Sequence, residues 1–428
     1  MASSFAVNCA TLSGLNEPAG YDHRNHSFLC ETINMYRPPV SLPLMARLCY
    51  WSGFGYLTRY GKLDHGIPEQ HLFKSSLGLK LFQRGERLLL EHCSKYVQEH
   101  VEDIQIQEID AKDATSKAMM LIRKQQLPVL IKGGARDWRA FQEFDLDFFA
   151  KNYGDVNVPV HSEPNQLFPD DGKPVPLKNF YQMSYVKMRD LVKSVVTDER
   201  YSAKAIEDIM HENGGSMIKD YCDLDYIHYL SGLMEYRKKW YFKTVPVGYV
   251  ISKQLFMQSQ RSHTLWHTEP GYNYFVAIAG EKEWRVTSPY YSAGLYSVIK
   301  DNSTYHVSRV DGRESNDVIA RRGFPLYQYM PKYKARVSAG DILVMPPWWW
   351  HTVSNVPGSH SISLTFRTIS EPNMHAPMLN YLKWSDPKAR EIRRKVLSHG
   401  RLFDDDIAAS LYAFADPRND LRKKKTTT

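Results

Sequence analysis

Two short segments constrain this chain more than any other feature of its sequence. The first, Thr264–Val286, begins T-L-W-H-T-E and contains His267 and Glu269 two residues apart. The second, Gly340–Asn355, contains P-P-W-W-W-H and reaches His351. Residues two apart in a β-strand point to the same face, so an extended first segment presents its histidine and glutamate together.

The residues around both segments favour strands. Tyr274, Phe275, Val276 and Ile278 are strand formers without a helical period. His351 follows its own apolar run and a Pro-Pro step that breaks it, so we expect its strand to fold back alongside the first pair. Two imidazoles and one carboxylate with open positions form the facial triad of non-haem Fe(II) oxygenases. The sequence therefore predicts that His267, Glu269 and His351 bind one Fe(II).

A lysine is predicted to reach the same cavity. A tight turn at Gly280–Glu281 would reverse the chain, after which Lys282, Trp284 and Val286 share one face. If that face lines the cavity, the lysine is buried near the metal, and burial of an ammonium is unfavourable unless an anion meets it. An acidic co-substrate would supply that anion.

These residues resemble the JmjC and cupin-like Fe(II)/2-oxoglutarate oxygenases. The resemblance is greatest to the protein hydroxylases typified by the asparaginyl hydroxylase that modifies hypoxia-inducible factor. In that group a Thr lies three residues before the first metal histidine, an Asn six after it and a Lys fifteen after it. The corresponding residues here are Thr264, Asn273 and Lys282, and the group's G-D-x-L-x-x-P-x-x-W-W-H segment appears at Gly340–His351.

The resemblance implies a fold, a reaction and a set of ligands. It implies a mainly β fold with flanking helices around a double-stranded β-helix, or jelly roll, and the use of Fe(II), O2 and 2-oxoglutarate. It also implies that Lys282 and Thr264 bind the distal carboxylate of 2-oxoglutarate, whose other end chelates the iron. This chain departs from the hydroxylases by having Glu269 in place of Asp, as in JmjC histone demethylases, and Thr365 in place of an Asn in the last strand.

Four functions stay open at this point. Hydroxylation of a protein side chain is the main prediction, and N-methyl-lysine (histone) demethylation is the alternative. Glu269 favours demethylation, whereas the spacing of Lys282 favours hydroxylation. Hydroxylation of a tRNA base is a third candidate. A non-catalytic cupin-like scaffold is a fourth, although a decayed site would be expected to lose one of its metal or co-substrate residues.

His263, four residues before His267, is a rival candidate for a metal ligand. Strand phase places His263 on the same side as His267, but we interpret it as a polar residue at the mouth of the barrel.

We expect an N-terminal extension over residues 1–108, with a helix in Phe73–Val101, a jelly-roll domain over 109–370, and a helical tail over 371–428. The resemblance implies a homodimer through the C-terminal helices, and packing of those helices on the barrel is the alternative.

Composition narrows the compartment and the partners. The 5 cysteines are scattered without a C-x-x-C pair, which favours a reducing compartment, cytoplasmic or nuclear. The sequence contains no apolar run of about 18 residues, so we expect no transmembrane helix. The first sixteen residues lack the basic residues of a secretory signal. The net charge of +8 gives a mild bias towards acidic partners and only weak support for a nucleic-acid partner. The short basic end Arg422–Lys425 is weak evidence for a nuclear address. A protein substrate is therefore the expected partner, with no membrane.

Overall fold

The computed structural model describes Tyr36 and residues 41–60, 77–96, 103–162, 182–197, 202–206, 220–239, 247–260, 262–299 and 306–385. The strands are β1 (Ile104–Gln105), β2 (Glu108–Asp110), β3 (Val129–Lys132), β4 (Asn157–Ser162), β5 (Gln182–Lys187), β6 (Ser202–Ile206), β7 (Val250–Gln258), β8 (His263–Thr268), β9 (Tyr272–Ala279), β10 (Glu281–Thr287), β11 (Ser297–Ile299), β12 (His306–Ser308), β13 (Tyr333–Ser338), β14 (Ile342–Met345), β15 (Trp350–Asn355) and β16 (Ser361–Thr368). The α-helices are α1 (Leu44–Tyr60), α2 (Leu77–Tyr96), α3 (Ser116–Gln125), α4 (Arg139–Glu143), α5 (Leu146–Tyr153), α6 (Met188–Val196), α7 (Leu224–Ser231), α8 (Leu233–Tyr236), α9 (Asn316–Arg321) and α10 (Pro377–Ser385).

The strands form two sheets that enclose a lumen. One sheet has the order β1-β13-β10-β15-β8-β12-β11, and the other has the order β2-β3-β14-β9-β16-β7-β6-β4-β5. Eight central strands, β7 to β10 and β13 to β16, mostly alternate between the sheets along the chain and pair antiparallel. This arrangement confirms the predicted mainly β fold with flanking helices and a jelly-roll core.

The turn at Gly280 carries the chain from one sheet to the other. Strand β9 pairs with β14 and β16, whereas β10 pairs with β13 and β15, so these consecutive strands do not form a hairpin. Gly280 has a φ of +73°, and a Cβ there would lie 2.0 Å from the carbonyl oxygen of His360. Both the left-handed backbone and the close approach require glycine at this position.

We expect Gly280→Ala to destabilise the protein by about 3 kcal/mol or more, because a methyl group adds a backbone clash to the strain of a positive φ. Gly358 is the matched control, since its φ is +87° but a Cβ there would meet nothing within 4 Å. Gly358→Ala should therefore lose only about 1 kcal/mol. The free energies of unfolding from urea denaturation give the comparison, and equal losses would contradict the steric argument.

Alternation along the strands separates an outer core from the lumen. On β9, Tyr274, Val276 and Ile278 pack in a cluster with residues of helices α3, α5 and α6. The intervening Phe275 and Ala277 pack instead with residues of β10 and β13, between the two sheets. Polar side chains also line the lumen, and those that are buried are Gln254, Gln258, His267, Asn273, Lys282, His351, Asn355, Ser363 and Thr365. The lumen therefore has both apolar and polar walls.

Helices α1 and α2 lie against the sheet that contains β8. The rings of Tyr50 and Phe82 are 4.7 Å apart, and the Tyr50 hydroxyl donates to the carbonyl of Ala293 at 3.1 Å. Helix α2 matches the helix predicted in Phe73–Val101, whereas the apolar cluster Leu42–Leu57 carried no helix prediction and contains most of α1. Of the helices that the structure describes, none is long and apolar enough to cross a membrane.

Helix α10 lies within the predicted helical tail over residues 371–428. The part of that tail beyond Ser385, with the basic end of the chain, lies outside the described residues. Strand β6 lies in a segment rich in polar residues. It pairs with β4 and β7 and so extends the larger sheet.

Candidate metal and co-substrate site

Two histidine rings face each other across β8 and β15. The strands pair antiparallel with His351 directly opposite His267, and the ring centroids are 4.1 Å apart. The return strand therefore lies where the sequence predicted it. The register shifts between His351 and Val353, so a bulge lies immediately beside the two rings.

Hydrogen bonds determine which nitrogen of each ring is available. His267 Nδ1 lies 2.8 Å from the carbonyl oxygen of Leu265, and His351 Nδ1 lies 3.0 Å from that of Trp349. A carbonyl only accepts, so both Nδ1 atoms donate and each neutral ring keeps its lone pair on Nε2. Burial lowers the pKa of His351, although the Glu269 carboxylate and the bond to Trp349 oppose the shift. Two imidazoles that donate through Nδ1 present Nε2 as the metal-binding nitrogen.

Glu269 follows the end of β8, and both of its carboxylate oxygens are engaged. Asn273 Nδ2 donates to Oε1 at 3.1 Å, and the Arg367 guanidinium forms an ion pair with Oε2. The backbone carbonyl of Glu269 accepts from the N–H of Trp348 at 2.7 Å, which ties this residue to the loop before β15. The carboxylate is thus held by an amide and a guanidinium, and it acts electrostatically on His351.

In the part of the chain that the structure describes, no group of three or more His, Cys, Asp or Glu side chains lies close enough together to form a complete metal site. Whether these residues suit Fe(II) therefore depends on the chemistry of their ligand atoms. Two imidazoles presenting Nε2 and one neighbouring carboxylate are the set that non-haem iron uses. A carboxylate that already accepts two hydrogen bonds keeps further lone pairs for a metal. The residues fit the ion in their chemistry.

Three consecutive tryptophans fix the turn before His351. Each indole N–H has its own acceptor: Trp348 donates to Asn380 Oδ1 at 2.7 Å, Trp349 to the carbonyl of Gln126 at 2.9 Å, and Trp350 to Ser292 Oγ at 2.8 Å. The three rings belong to three different hydrophobic clusters. This packing anchors the loop in three directions.

Trp348 adopts a backbone conformation that is unfavourable for a bulky residue. Its φ is +64°, in the left-handed region, and the surrounding contacts hold it there. Asn373 Nδ2 donates to the carbonyl of Pro347 at 2.6 Å, and Asn380 Nδ2 donates to the carbonyl of Asn373 at 2.6 Å. Residues at the start of the C-terminal region therefore brace the loop that carries His351.

Lys282 is buried in the lumen, with 2% of its surface exposed. Its ammonium donates to Gln258 Oε1 and, at 3.0 Å, to Asn355 Oδ1. Both acceptors are neutral amides, and burial lowers the pKa of Lys282 to about 7. The lysine points inward, as predicted, and its surroundings leave its charge unneutralised.

The other predicted co-substrate residues, Thr264, Thr365 and Asn273, differ in whether their polar atoms already form hydrogen bonds. The Thr264 hydroxyl accepts from the N–H of Val353 at 3.0 Å, so it is bonded to the β15 backbone at the bulge. Thr365 is buried on β16, and its Oγ1 has no hydrogen-bond partner among the described residues. The same holds for Oδ1 of Asn273, whose amide nitrogen bonds to Glu269. Two buried polar atoms in the lumen are therefore ready for a polar ligand.

The predicted orientation of His263 is wrong. His263 Nδ1 lies 2.8 Å from the Ser354 hydroxyl and Nε2 lies 3.4 Å from that of Thr352. Those two residues alternate with His351 and Val353 along β15, so they face away from the lumen. The bulge beside the histidine rings breaks the simple alternation along β8 and turns His263 outward.

Four polar residues of the lumen escaped the sequence analysis. Gln258 and Asn355 hold the Lys282 ammonium, and Gln254 accepts a hydrogen bond from Arg367. A period of two would have found some of them, since Asn355 is four residues after His351 and Arg367 is two after Thr365. The glutamines could not be found in this way, because no predicted site residue lies on β7.

A model of the cupin-like domain family matches residues 115–371 of this chain. A protein named lysine-specific demethylase JMJ21, from Arabidopsis thaliana, is 22% identical over 249 residues, which is 56% of this chain and 23% of that protein. Lysine-specific demethylase JMJ32, also from Arabidopsis thaliana, is 30% identical over 127 residues, covering 24% of this chain and 37% of the relative. JmjC domain-containing protein D from Dictyostelium discoideum is 30% identical over 96 residues, covering 22% of this chain and 20% of the relative. This chain therefore spans well under half of these curated relatives.

Proposed function

Because this chain belongs to the cupin-like domain family, we propose that it is an Fe(II)- and 2-oxoglutarate-dependent dioxygenase that hydroxylates a protein side chain. One observation carries the proposal: two imidazoles whose Nδ1 atoms donate to carbonyls face each other at 4.1 Å, with Glu269 two residues after one of them, in the same lumen as a buried lysine whose hydrogen bonds go to neutral amides. Bound iron would supply the activation of O2, coupled to oxidative decarboxylation of 2-oxoglutarate to succinate.

The residues of the chain have separate tasks in this proposal. His267, His351 and Glu269 would hold the metal, and the Lys282 ammonium would bind the distal carboxylate of 2-oxoglutarate. The unpartnered Thr365 hydroxyl would donate a further hydrogen bond to the co-substrate. The apolar rings of Phe275 and Trp284, the second of which stacks 5.2 Å from the His351 ring, would exclude water from the lumen around the site.

Demethylation of an N-methyl-lysine is the second candidate. Two relatives are named lysine-specific demethylases, and Glu269 is the carboxylate ligand that the resemblance associates with that group. Hydroxylation of the N-methyl carbon would release formaldehyde, whereas side-chain hydroxylation leaves one oxygen atom on the product. Formaldehyde release with loss of a methyl group would therefore replace the main proposal by the second.

The test begins with uncoupled turnover. Purified protein with Fe(II), ascorbate and 2-oxoglutarate should form succinate slowly without any added substrate. Mass spectrometry of proteins captured by the inactive His351→Ala variant should then reveal peptides that gain an oxygen atom with the wild-type enzyme. A folded wild-type protein that binds no iron and makes no succinate would instead favour a non-catalytic scaffold. Captured RNA with a hydroxylated base would favour the tRNA alternative.

The proposed protein substrate, a location in the cytoplasm or nucleus, and a homodimer through the C-terminal helices stay predictions. The described part of the C-terminal region gives one relevant fact: helix α10 packs Leu379 against Trp348, within the same chain. The segment beyond Ser385, on which a dimer would depend, lies outside the described residues. Size determination of the purified protein in solution decides between a monomer and a dimer.

We expect the affinity for 2-oxoglutarate to fall as the pH rises above neutrality. In the free protein the pKa of Lys282 is lowered to about 7, whereas a bound carboxylate favours the ammonium and raises that pKa. Below about pH 7 the lysine is already protonated and binding takes up no proton; above it, binding takes up one proton and affinity falls by up to about tenfold per pH unit. Calorimetry in two buffers of different ionisation enthalpy measures this uptake, and an unchanged affinity at about pH 8.5 contradicts the assigned anchor.

A further inference from the structure

A second cation lies in the lumen, and it contacts the predicted carboxylate ligand directly. Arg367 is on β16, two residues after Thr365, and its side chain is 17% exposed. Its Nε pairs with Glu269 Oε2, while its Nη1 donates to Gln254 Oε1 on the neighbouring strand β7. Arg367 is thus held from one side by β7 and itself holds the carboxylate.

The charged side chains inside the lumen favour an anion. Lys282 and Arg367 are cationic, and Glu269 is the carboxylate that pairs with one of them. A divalent metal beside Glu269 would add two positive charges near a guanidinium that is largely shielded from water, where electrostatic repulsion is stronger than in solution. A dianionic oxoacid bound to the metal and to Lys282 would offset those charges.

We propose that Arg367 is a positioning residue that holds Glu269 in the metal-free protein and makes metal binding depend on the oxoacid co-substrate. This inference rests on the proposed function. Without the oxoacid, the guanidinium competes with the metal ion for the Glu269 carboxylate and also repels the metal ion. With the oxoacid bound, the repulsion is offset, so metal and co-substrate bind cooperatively. By linkage, the factor by which the oxoacid tightens metal binding equals the factor by which metal tightens oxoacid binding.

Three proteins test this inference: the wild type, Arg367→Gln and Arg336→Gln. Arg336 is the matched control, because it also pairs with a glutamate, Glu281, but on the exposed face of β10 and β13. Co(II), which does not react with O2 in the assay, is titrated into each protein by calorimetry, with and without saturating 2-oxoglutarate. The readout is the ratio of the two metal dissociation constants, which requires no turnover.

For Arg367→Gln we expect Co(II) alone to bind about tenfold to a hundredfold more tightly, because one nearby positive charge is removed. The ratio of the two dissociation constants should shrink by a similar factor, whereas Arg336→Gln should keep the wild-type values. Unchanged or weaker Co(II) binding by Arg367→Gln would overturn the inference, because it would show that the arginine only orients the carboxylate, as hydrogen-bonded partners of ligands commonly do.

A second variant covers the case in which Arg367→Gln does not fold. Gln254→Leu removes the amide oxygen that holds the guanidinium but keeps every charge of the lumen. It should shrink the same ratio in the same direction by a smaller factor, and an unchanged ratio would count against the inference. A wild-type protein that binds neither Co(II) nor 2-oxoglutarate would refute the proposed function itself, which distinguishes the two failures.

Discussion

His267→Ala is expected to abolish succinate formation and to weaken metal binding by more than about a hundredfold, since even the hydrogen-bonded partners of a metal ligand account for 10- to 100-fold. The physical reason is the orientation of the ring. Its Nδ1 donates to the Leu265 carbonyl, so Nε2 is left as a donor to the metal beside His351. Calorimetric titration with Co(II) and the uncoupled succinate assay measure the two effects.

His263→Ala is the matched control, because the same substitution is made on the same strand, four residues away. His263 bonds to the Ser354 and Thr352 hydroxyls outside the lumen, so its loss should lower stability by about 1–3 kcal/mol while metal binding persists. Burial and the nearby Arg313 lower the pKa of His263 to about 4, so no charge is lost at neutral pH. If both variants lose metal to the same extent, the assignment of His267 is refuted.

Lys282→Met should weaken 2-oxoglutarate binding by about a hundredfold or more, because a buried charge pair that loses one partner typically loses 2–5 kcal/mol. The ligand-free protein should keep its stability. Removing a buried ammonium relieves its desolvation, and this offsets the two amide oxygens, on Gln258 and Asn355, that lose their donor. Calorimetry and thermal unfolding without ligand give the two numbers.

Lys332→Met tests whether the loss of 2-oxoglutarate affinity is specific to Lys282 or follows the removal of any buried lysine. Burial also lowers the pKa of Lys332, to about 8, and its ammonium lies over the Tyr327 ring and near the Tyr327 and Met330 carbonyls. This variant should lose stability without a change in affinity for 2-oxoglutarate. An equal loss of affinity in both variants would mean that the effect of Lys282 is not local.

The sequence analysis succeeded where local alternation decides the outcome. The orientation of Lys282 follows from a turn at Gly280 and a period of two, both readable from a few neighbouring residues. The face of His263 depends instead on a bulge that exists only because β8 pairs with β15, which no local pattern encodes. The approach of Arg367 to Glu269 likewise depends on strand register between segments about a hundred residues apart.

Helix α1 shows a second reason for failure. Its sequence, L-M-A-R-L-C-Y-W-S-G-F-G-Y-L-T-R-Y, has apolar residues on most sides and two glycines, so it lacks the polar face that marks a surface helix. It forms because it packs against α2, where Phe82 contacts Tyr50. Tertiary packing, which the sequence does not display, overrides the weak local preference.

The hydrogen bonds to Pro347 and Trp348 connect the C-terminal region to the loop before His351. Asn373 and Asn380 both lie after residue 371, where the family match ends, yet they secure the loop that aims His351. A partner or a modification that pulled α10 away would release a tryptophan from its strained torsion and let the imidazole drift from its counterpart on β8. In this way α10 would influence the predicted metal site through contacts that lie outside the lumen.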